Sequence, residues 1–209
     1  MPNYCFKCKR SEDEEAFRRC SNARSKECQQ AHWGVHKPIC RPYNLNEVWG
    51  IKISPNNGGA QSEHFQHELV RENHPIFHRG EICPVTKRCG IPLIIYSTGM
   101  YRPAVEGNEI AVKLRIEASD AFAPLPWQMA DHRECTVIRK DRKPLTKELL
   151  ETIYKFHKKI LSYPLLDKGW APWQGLLNPS VWQMFAMEYY LEQNKTGRVG
   201  FDWFFPPVC

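Results

Sequence analysis

The sequence predicts a small α+β domain with an antiparallel sheet and C-terminal helices, preceded by a short cysteine-rich finger. Three observations lead there. Five of the nine cysteines fall within the first forty residues. Ile110, Val112, Leu114 and Ile116 alternate with Glu109, Ala111, Lys113, Arg115 and Glu117, which is the two-residue period of a half-buried strand. Further on, Leu145, Leu149, Ile153, Phe156 and Ile160, then Trp182, Phe185 and Tyr189, recur at helical spacing. The order helix, strands, helix, helix behind the finger points to an α+β unit.

Composition narrows the class. The chain has 209 residues, 42% of them hydrophobic and 25% charged, a globular balance rather than a disordered one. Its longest strongly apolar stretch, Ile91 to Tyr96, is far short of the ~20 residues a membrane helix needs. The opening MPNYCFKCKR lacks the apolar core of a secretory signal. A protein with no membrane association, in a reducing cytoplasmic or nuclear setting, is therefore expected. Net charge is +6, of which residues 1–41 supply +4. A surplus that small does not by itself argue for a nucleic-acid partner.

Taken in order, residues 1–41 form the finger. The stretch from Cys5 to Cys40 has few large aliphatic side chains, too few to offset its own ordering entropy, so an external staple is expected. Its second half, SKECQQAHWGVHKPIC, reads as a helix with Ser25 as N-cap and Pro38 as stop. Residues 42–61, ending in the turn-rich SPNNGGAQ, read as a linker, and 62–209 as the α+β domain. There, SEHFQHELVREN predicts an amphipathic helix with Phe65, Leu69 and Val70 on one side. Gly90–Ser97 predicts an apolar strand, Asn108–Glu117 the best strand of the chain, and Thr136–Arg139 a third. LTKELLETIYKFHKKIL is a clear helix. Asn178 followed by Pro179 opens the last one, with Asn as cap and Pro in the first turn.

The chemistry-bearing residues lie in the finger. Cys5-x2-Cys8 is a step at which two thiolates grip one ion from a tight turn. His36-x3-Cys40 puts an imidazole and a thiolate one helical turn apart on one face, and Cys28 lies two turns up that face. Thiolate and imidazole donors, with no redox chemistry required, select Zn2+. Five cysteines gathered in a polar, basic segment are not explained as small buried hydrophobes, and the odd total of nine speaks against a fully paired disulfide framework.

The run C5-F-K-C8, F-R-R-C20 and S-K-E-C28-Q-Q-A-H-W-G-V-H36-K-P-I-C40 resembles a MYND-type zinc finger from Cys5 to Cys40. The resemblance is most specific at the helical end, where Cys-Gln, Trp, His-Lys and the final Cys stand at the family's spacing. It implies two zinc ions bound in interleaved fashion by seven cysteines and one histidine, and a protein-interaction role. Several members receive short, extended proline-containing peptides. The chain departs from the pattern between Cys20 and Cys28: Ala23 stands where a cysteine is expected, and a tyrosine–cysteine pair is absent. By the family's interleaving, Cys5, Cys8 and Cys28 would form one three-ligand site, and Cys20, His36 and Cys40 the other. Three arrangements remain. Water completes each tetrahedron, or His32 substitutes as a ligand, or the short loop merges both sites into a single zinc and leaves Cys20 free.

Gln29 and Trp33 match positions that shape the family's peptide surface; a cover for the metal site and a solvated helix residue are their plainer readings. Gly90 to Leu145 is also similar to the tails of uncharacterised fungal MYND-finger proteins. Together these imply a zinc-binding adaptor that recruits a protein partner through a proline-containing peptide, and not an enzyme.

Two other classes compete. SET-type lysine methyltransferases carry MYND fingers, but inserted within the catalytic domain, whereas this finger starts at Cys5. Asn73-His74 is similar to their Asn-His step, without a matching glycine-rich cofactor segment or later tyrosine motif. A nucleic-acid-binding regulator would need a base-reading finger helix, which is not evident. The succession His64, His67, His74, His78, Cys83 and Cys89 lacks the tight Cys-x2-Cys step and reads as solvated histidines on an exposed helix. Arg139–Lys143 reads as a solvated turn with no aromatic beside it, and Trp170, Trp173, Trp182 and Trp203 as packing aromatics.

Overall fold

The computed structural model describes residues 47–55, 64–99, 107–129, 132–162 and 172–201. Their centre is a five-stranded, wholly antiparallel sheet: β1 (Glu47–Ile53), β2 (Phe65–Arg71), β3 (Glu81–Ile82), β4 (Leu93–Ser97) and β5 (Cys135–Arg139), in the order β2-β1-β5-β4-β3. Short helices α1 (Ile76–Arg79), α2 (Pro84–Arg88), α3 (Glu109–Leu114) and α4 (Leu125–Met129) fill the connections. Two longer ones follow, α5 (Lys147–Leu161) and α6 (Pro179–Lys195), with a 3-10 turn at Pro172–Leu176 between them. The expected α+β unit with an antiparallel sheet and C-terminal helices is thus present, although several elements differ from expectation.

The segment read as a linker contains β1, which lies second in the sheet between β2 and β5. Ile51 and Ile53 alternate with Lys52, and all seven residues pair with β2, from Glu47↔Arg71 to Ile53↔Phe65. Only the turn-rich stretch beyond it connects, and Ser54 N–H donating to the His64 carbonyl (2.9 Å) closes the hairpin. The following segment, expected as a helix, is β2. Phe65 and Val70 are both buried but belong to different apolar clusters, one on each side of the sheet. That division follows from strand periodicity: residues five apart point to opposite faces.

The predicted strand at Asn108–Glu117 is instead the helix α3 and its exit turn. Asn108 caps it, its Oδ1 accepting from Ala111 N–H (3.1 Å) while its Nδ2 donates to the Ile53 carbonyl (3.2 Å). Glu109 pairs with Lys113 one turn on, and Ile110, Ala111 and Leu114 are buried. A cap, an i,i+4 ion pair and a helical apolar face together outweigh an alternation that Ala111 leaves ambiguous.

The main core lies between one sheet face and the helices. Ile51, Ile53, Phe65, Leu93, Ile95 and Val137 meet Ile110, Leu114, Ile153, Phe156, Ile160 and Trp182 there. A smaller cluster on the opposite face joins Val48, Val70 and Ile138 to Ile76 of α1, with Phe77, Ile94 and Tyr96 packed against it. Thr146 caps α5 by accepting from Leu149 N–H (3.2 Å), and Asn178 caps α6 by accepting from Val181 N–H (3.0 Å). Of the expected inward face of α6, Trp182 is fully buried while Phe185 and Tyr189 are half-buried. The buried line runs through Trp182, Ala186 and Tyr190. Trp173 and Trp182 are core residues; Trp170 and Trp203 lie outside the described residues.

Gly50 marks a close approach in the sheet. A Cβ added there would meet the Val137 carbonyl oxygen at 2.6 Å and Ile138 Cγ2 at 2.7 Å. Gly50→Ala is therefore expected to force β1 and β5 apart and cost about 2 kcal/mol, the range of overpacked cores. Urea denaturation of the two proteins checks this, and an unchanged midpoint would contradict the packing.

Candidate functional site

The predicted zinc ligands Cys5, Cys8, Cys20, Cys28, His36 and Cys40, the substitute His32, and the surface residues Gln29 and Trp33 all lie outside the described residues. The polar chemistry that is described belongs to the α+β unit.

Three cysteines there are buried and unpaired: Cys83 before α2, Cys89 after it, and Cys135 at the start of β5. Burial pushes each thiol up to about 12. At neutral pH they are protonated, which suits neither a nucleophile nor a metal ligand. Ser97 at the end of β4 sits opposite Cys135 in the sheet and hydrogen-bonds its thiol. The same hydroxyl accepts from Gly99 N–H (2.9 Å) and lies 2.8 Å from His132 Nδ1. A serine–histidine contact is the first requirement of an activated nucleophile. Here, however, the imidazole is stacked on Trp127 (ring centroids 4.2 Å apart) and 6% exposed, so these bonds fasten the ends of β4 and β5.

Trp127 also anchors a buried cation. The Arg115 guanidinium lies over its indole ring, donates to the Ile82 carbonyl and pairs with Glu81 Oε2 (2.8 Å). The indole N–H donates to the other Glu81 oxygen (3.0 Å). Both oxygens of one carboxylate thus tie α4 and the α3 exit turn to β3.

The histidines are not solvated residues of one exposed helix, as expected, because β2 places them differently. His64 is buried, and His67 is half-buried against the edge of Trp49; burial, then Lys147, holds its imidazole below the usual range. His74 Nδ1 accepts from Ile76 N–H (3.1 Å), and its ring meets Tyr96 edge-on. Only His78 among the four is exposed. Among the described residues, no three His, Cys, Asp or Glu side chains are grouped to hold a metal ion. No helix of the described residues is long and apolar enough to cross a membrane.

The basic run Arg139–Lys143 also has more structure than a solvated turn. Arg139, 6% exposed, is folded back onto Asp141, whose Oδ1 accepts from Lys143 N–H (3.2 Å). The expectation that no aromatic adjoins the run is overturned, since the Arg142 guanidinium lies 5.2 Å from the centroid of the Phe77 ring. Sequence reasoning missed it because Phe77 arrives from α1, which crosses the far face of the sheet.

In comparison with known proteins, no family model, curated protein or solved structure matches the chain.

Proposed function

We propose that the chain is a zinc-binding adaptor: a MYND-like finger at residues 1–41 recruits a protein partner, and an α+β domain follows it. The ligand spacing carries this reading, with Cys5-x2-Cys8 at one end and Cys28, His36 and Cys40 in helical register at the other. Such donors bind Zn2+ only when deprotonated, and in a segment with so little apolar mass the binding energy of the ion is also its folding energy. The helix carrying Gln29 and Trp33 then offers one wall of a shallow site for an extended proline-containing peptide, for which an aromatic flank is suited. The activity is binding, not catalysis, and the resident ion is structural.

The test is zinc stoichiometry on the purified, reduced full chain, followed by titration with a panel of extended proline-containing peptides. Two ions support the interleaved arrangement and one the merged site. Micromolar-class binding is expected, lost on chelation and on Trp33→Ala. A metal-free protein, or peptide capture that survives both changes, overturns the reading.

A further inference from the structure

We propose that the outer face of α6 is a docking surface for the chain's own residues 202–209. α6 is apolar on two sides. Trp182, Ala186 and Tyr190 form its buried line. Met184, Met187 and Leu191, at i, i+3 and i+7, form a second stripe that is 61%, 55% and 55% exposed. At 3.6 residues per turn these three fall within about 60° of one another, on the side away from the core. Exposed Glu188 and Asn194 border the stripe without interrupting it. A surface helix carries polar residues on its outer side, whereas a helix that is apolar on both sides has a cover on both.

The path of the chain after α6 supplies the occupant. Gly197 (φ 77°) reverses its direction, with Arg198 N–H donating back to the Gln193 carbonyl (3.2 Å). Phe201 then packs on α6 itself, its ring centroid 5.9 Å from that of Tyr189 and 5.0 Å from that of Tyr190. Tyr190 and Met187 are three apart and so are neighbours on the helix surface, which puts Phe201 about one helix diameter, ~10 Å, from the stripe. Eight residues follow Phe201 and reach at most about 28 Å, while Met184 to Leu191 spans only about 10 Å. They read DWFFPPVC, in which Trp203, Phe204, Phe205 and Val208 supply apolar area. Thioethers make favourable contacts with aromatic rings, so a methionine face suits three consecutive aromatics. A second copy of the chain is the rival occupant, but three side chains fall far short of the ~800 Å² that each partner of a stable complex buries. A segment tethered at Phe201 acts at an effective concentration of about millimolar and needs much less area.

The experiment follows the methionine ε-methyl signals of the full chain by NMR, with two of them assigned through Met184→Leu and Met187→Leu. Ring currents from the docked aromatics are expected to displace both signals from the position of a solvated methionine. Replacing Trp203, Phe204 and Phe205 together by serine is expected to return them to it, and the displacement is expected to survive dilution. Signals that the triple variant leaves in place overturn the proposal. So does a displacement that fades on dilution, which assigns the stripe to a second copy. The converse variant, Met184→Lys with Leu191→Lys, changes only the outer face of α6 and leaves the segment intact. Chymotrypsin cleavage after Trp203 and Phe204 is expected to be several-fold faster in it than in wild type, and equal rates overturn the proposal.

Discussion

Arg198→Ala is expected to destabilise the α+β unit by about 3 kcal/mol at neutral pH, the scale of breaking a buried ion pair by removing one partner. Glu151 projects from the middle of α5 and is 4% exposed. Its carboxylate accepts from Tyr189 Oη (2.6 Å) and takes both terminal nitrogens of Arg198, at 2.7 and 2.8 Å. Burial alone would raise its pKa; the bonds from Arg198 and Tyr189 outweigh burial and hold the carboxyl below its usual range. Arg198 has a more exposed side chain (37%), so water enters where it is removed and moderates the loss. A bidentate guanidinium is also what fixes the chain after α6, for Arg198 bonds Gln193 and lies over the Phe201 ring.

The pH dependence of that loss identifies its cause. With Arg198 gone, Glu151 is a carboxylate in a mostly apolar seam, and its pKa must rise. The deficit relative to wild type should then shrink as pH falls towards 5, because the variant can protonate Glu151 at little cost. Adding Glu151→Gln to Arg198→Ala should recover part of the lost stability at pH 7, since the buried charge goes with its partner. Guanidinium melts of the three proteins decide the matter. A deficit that is independent of pH, or a double variant no better than the single one, would show that Arg198 acts through packing on Phe201 instead.

How much of this was legible in the sequence depended on whether a segment's partners were local. The two long helices were readable because Asn178 and the stripe from Leu145 to Ile160 specify them without reference to anything else. The strands at Leu93–Ser97 and Cys135–Arg139 were readable as short apolar runs. Two of the errors concern segments decided by distant pairing. Val-Trp-Gly-Ile-Lys-Ile carries a strand pattern, but beside the turn-rich Pro55–Gly59 stretch it reads as part of a connection; only β2 and β5 make it a strand of the sheet. Phe65, Leu69 and Val70 fit a helix face as well as they fit a strand, and seven consecutive pairs with β1 decide between them. At Asn108 the cap was visible, and strict alternation was wrongly given more weight than Asn-Glu at the start and Lys113 one turn on. The polar sites were less legible still. Arg115, Trp127 and Glu81 are far apart in the sequence, as are Arg142 and Phe77, and no spacing rule links them.

Acid is expected to loosen the same helical layer through His157. This residue is fully buried on α5, and its Nδ1 lies 2.8 Å from the Ile153 carbonyl oxygen. A carbonyl can only accept, so Nδ1 carries the proton and Nε2 the lone pair, and Nε2 has no hydrogen-bond partner. Burial lowers the imidazole from 6.5 to about 4, against a smaller opposing effect of the Ile153 bond. The folded chain thus keeps His157 neutral where the unfolded chain protonates it. Its contribution to stability is complete above pH 6.5, declines as pH falls from there to about 4, and is constant below. At about 1.4 kcal/mol per unit, the loss across that window is about 3 kcal/mol.

Carboxylates titrate over part of the same range. Burial raises Glu148, while Glu151 is held low, so the wild-type curve alone does not isolate the histidine. His157→Leu does, because both carboxylates remain and a leucine of similar volume fills a helical core position without a titrating group. The stability of the variant relative to wild type should rise steadily as pH is lowered from 6.5 to 4 and stay level on either side. Two stability curves that run parallel through that interval would mean that His157 is protonated without unfolding, and that α5 has room to solvate it.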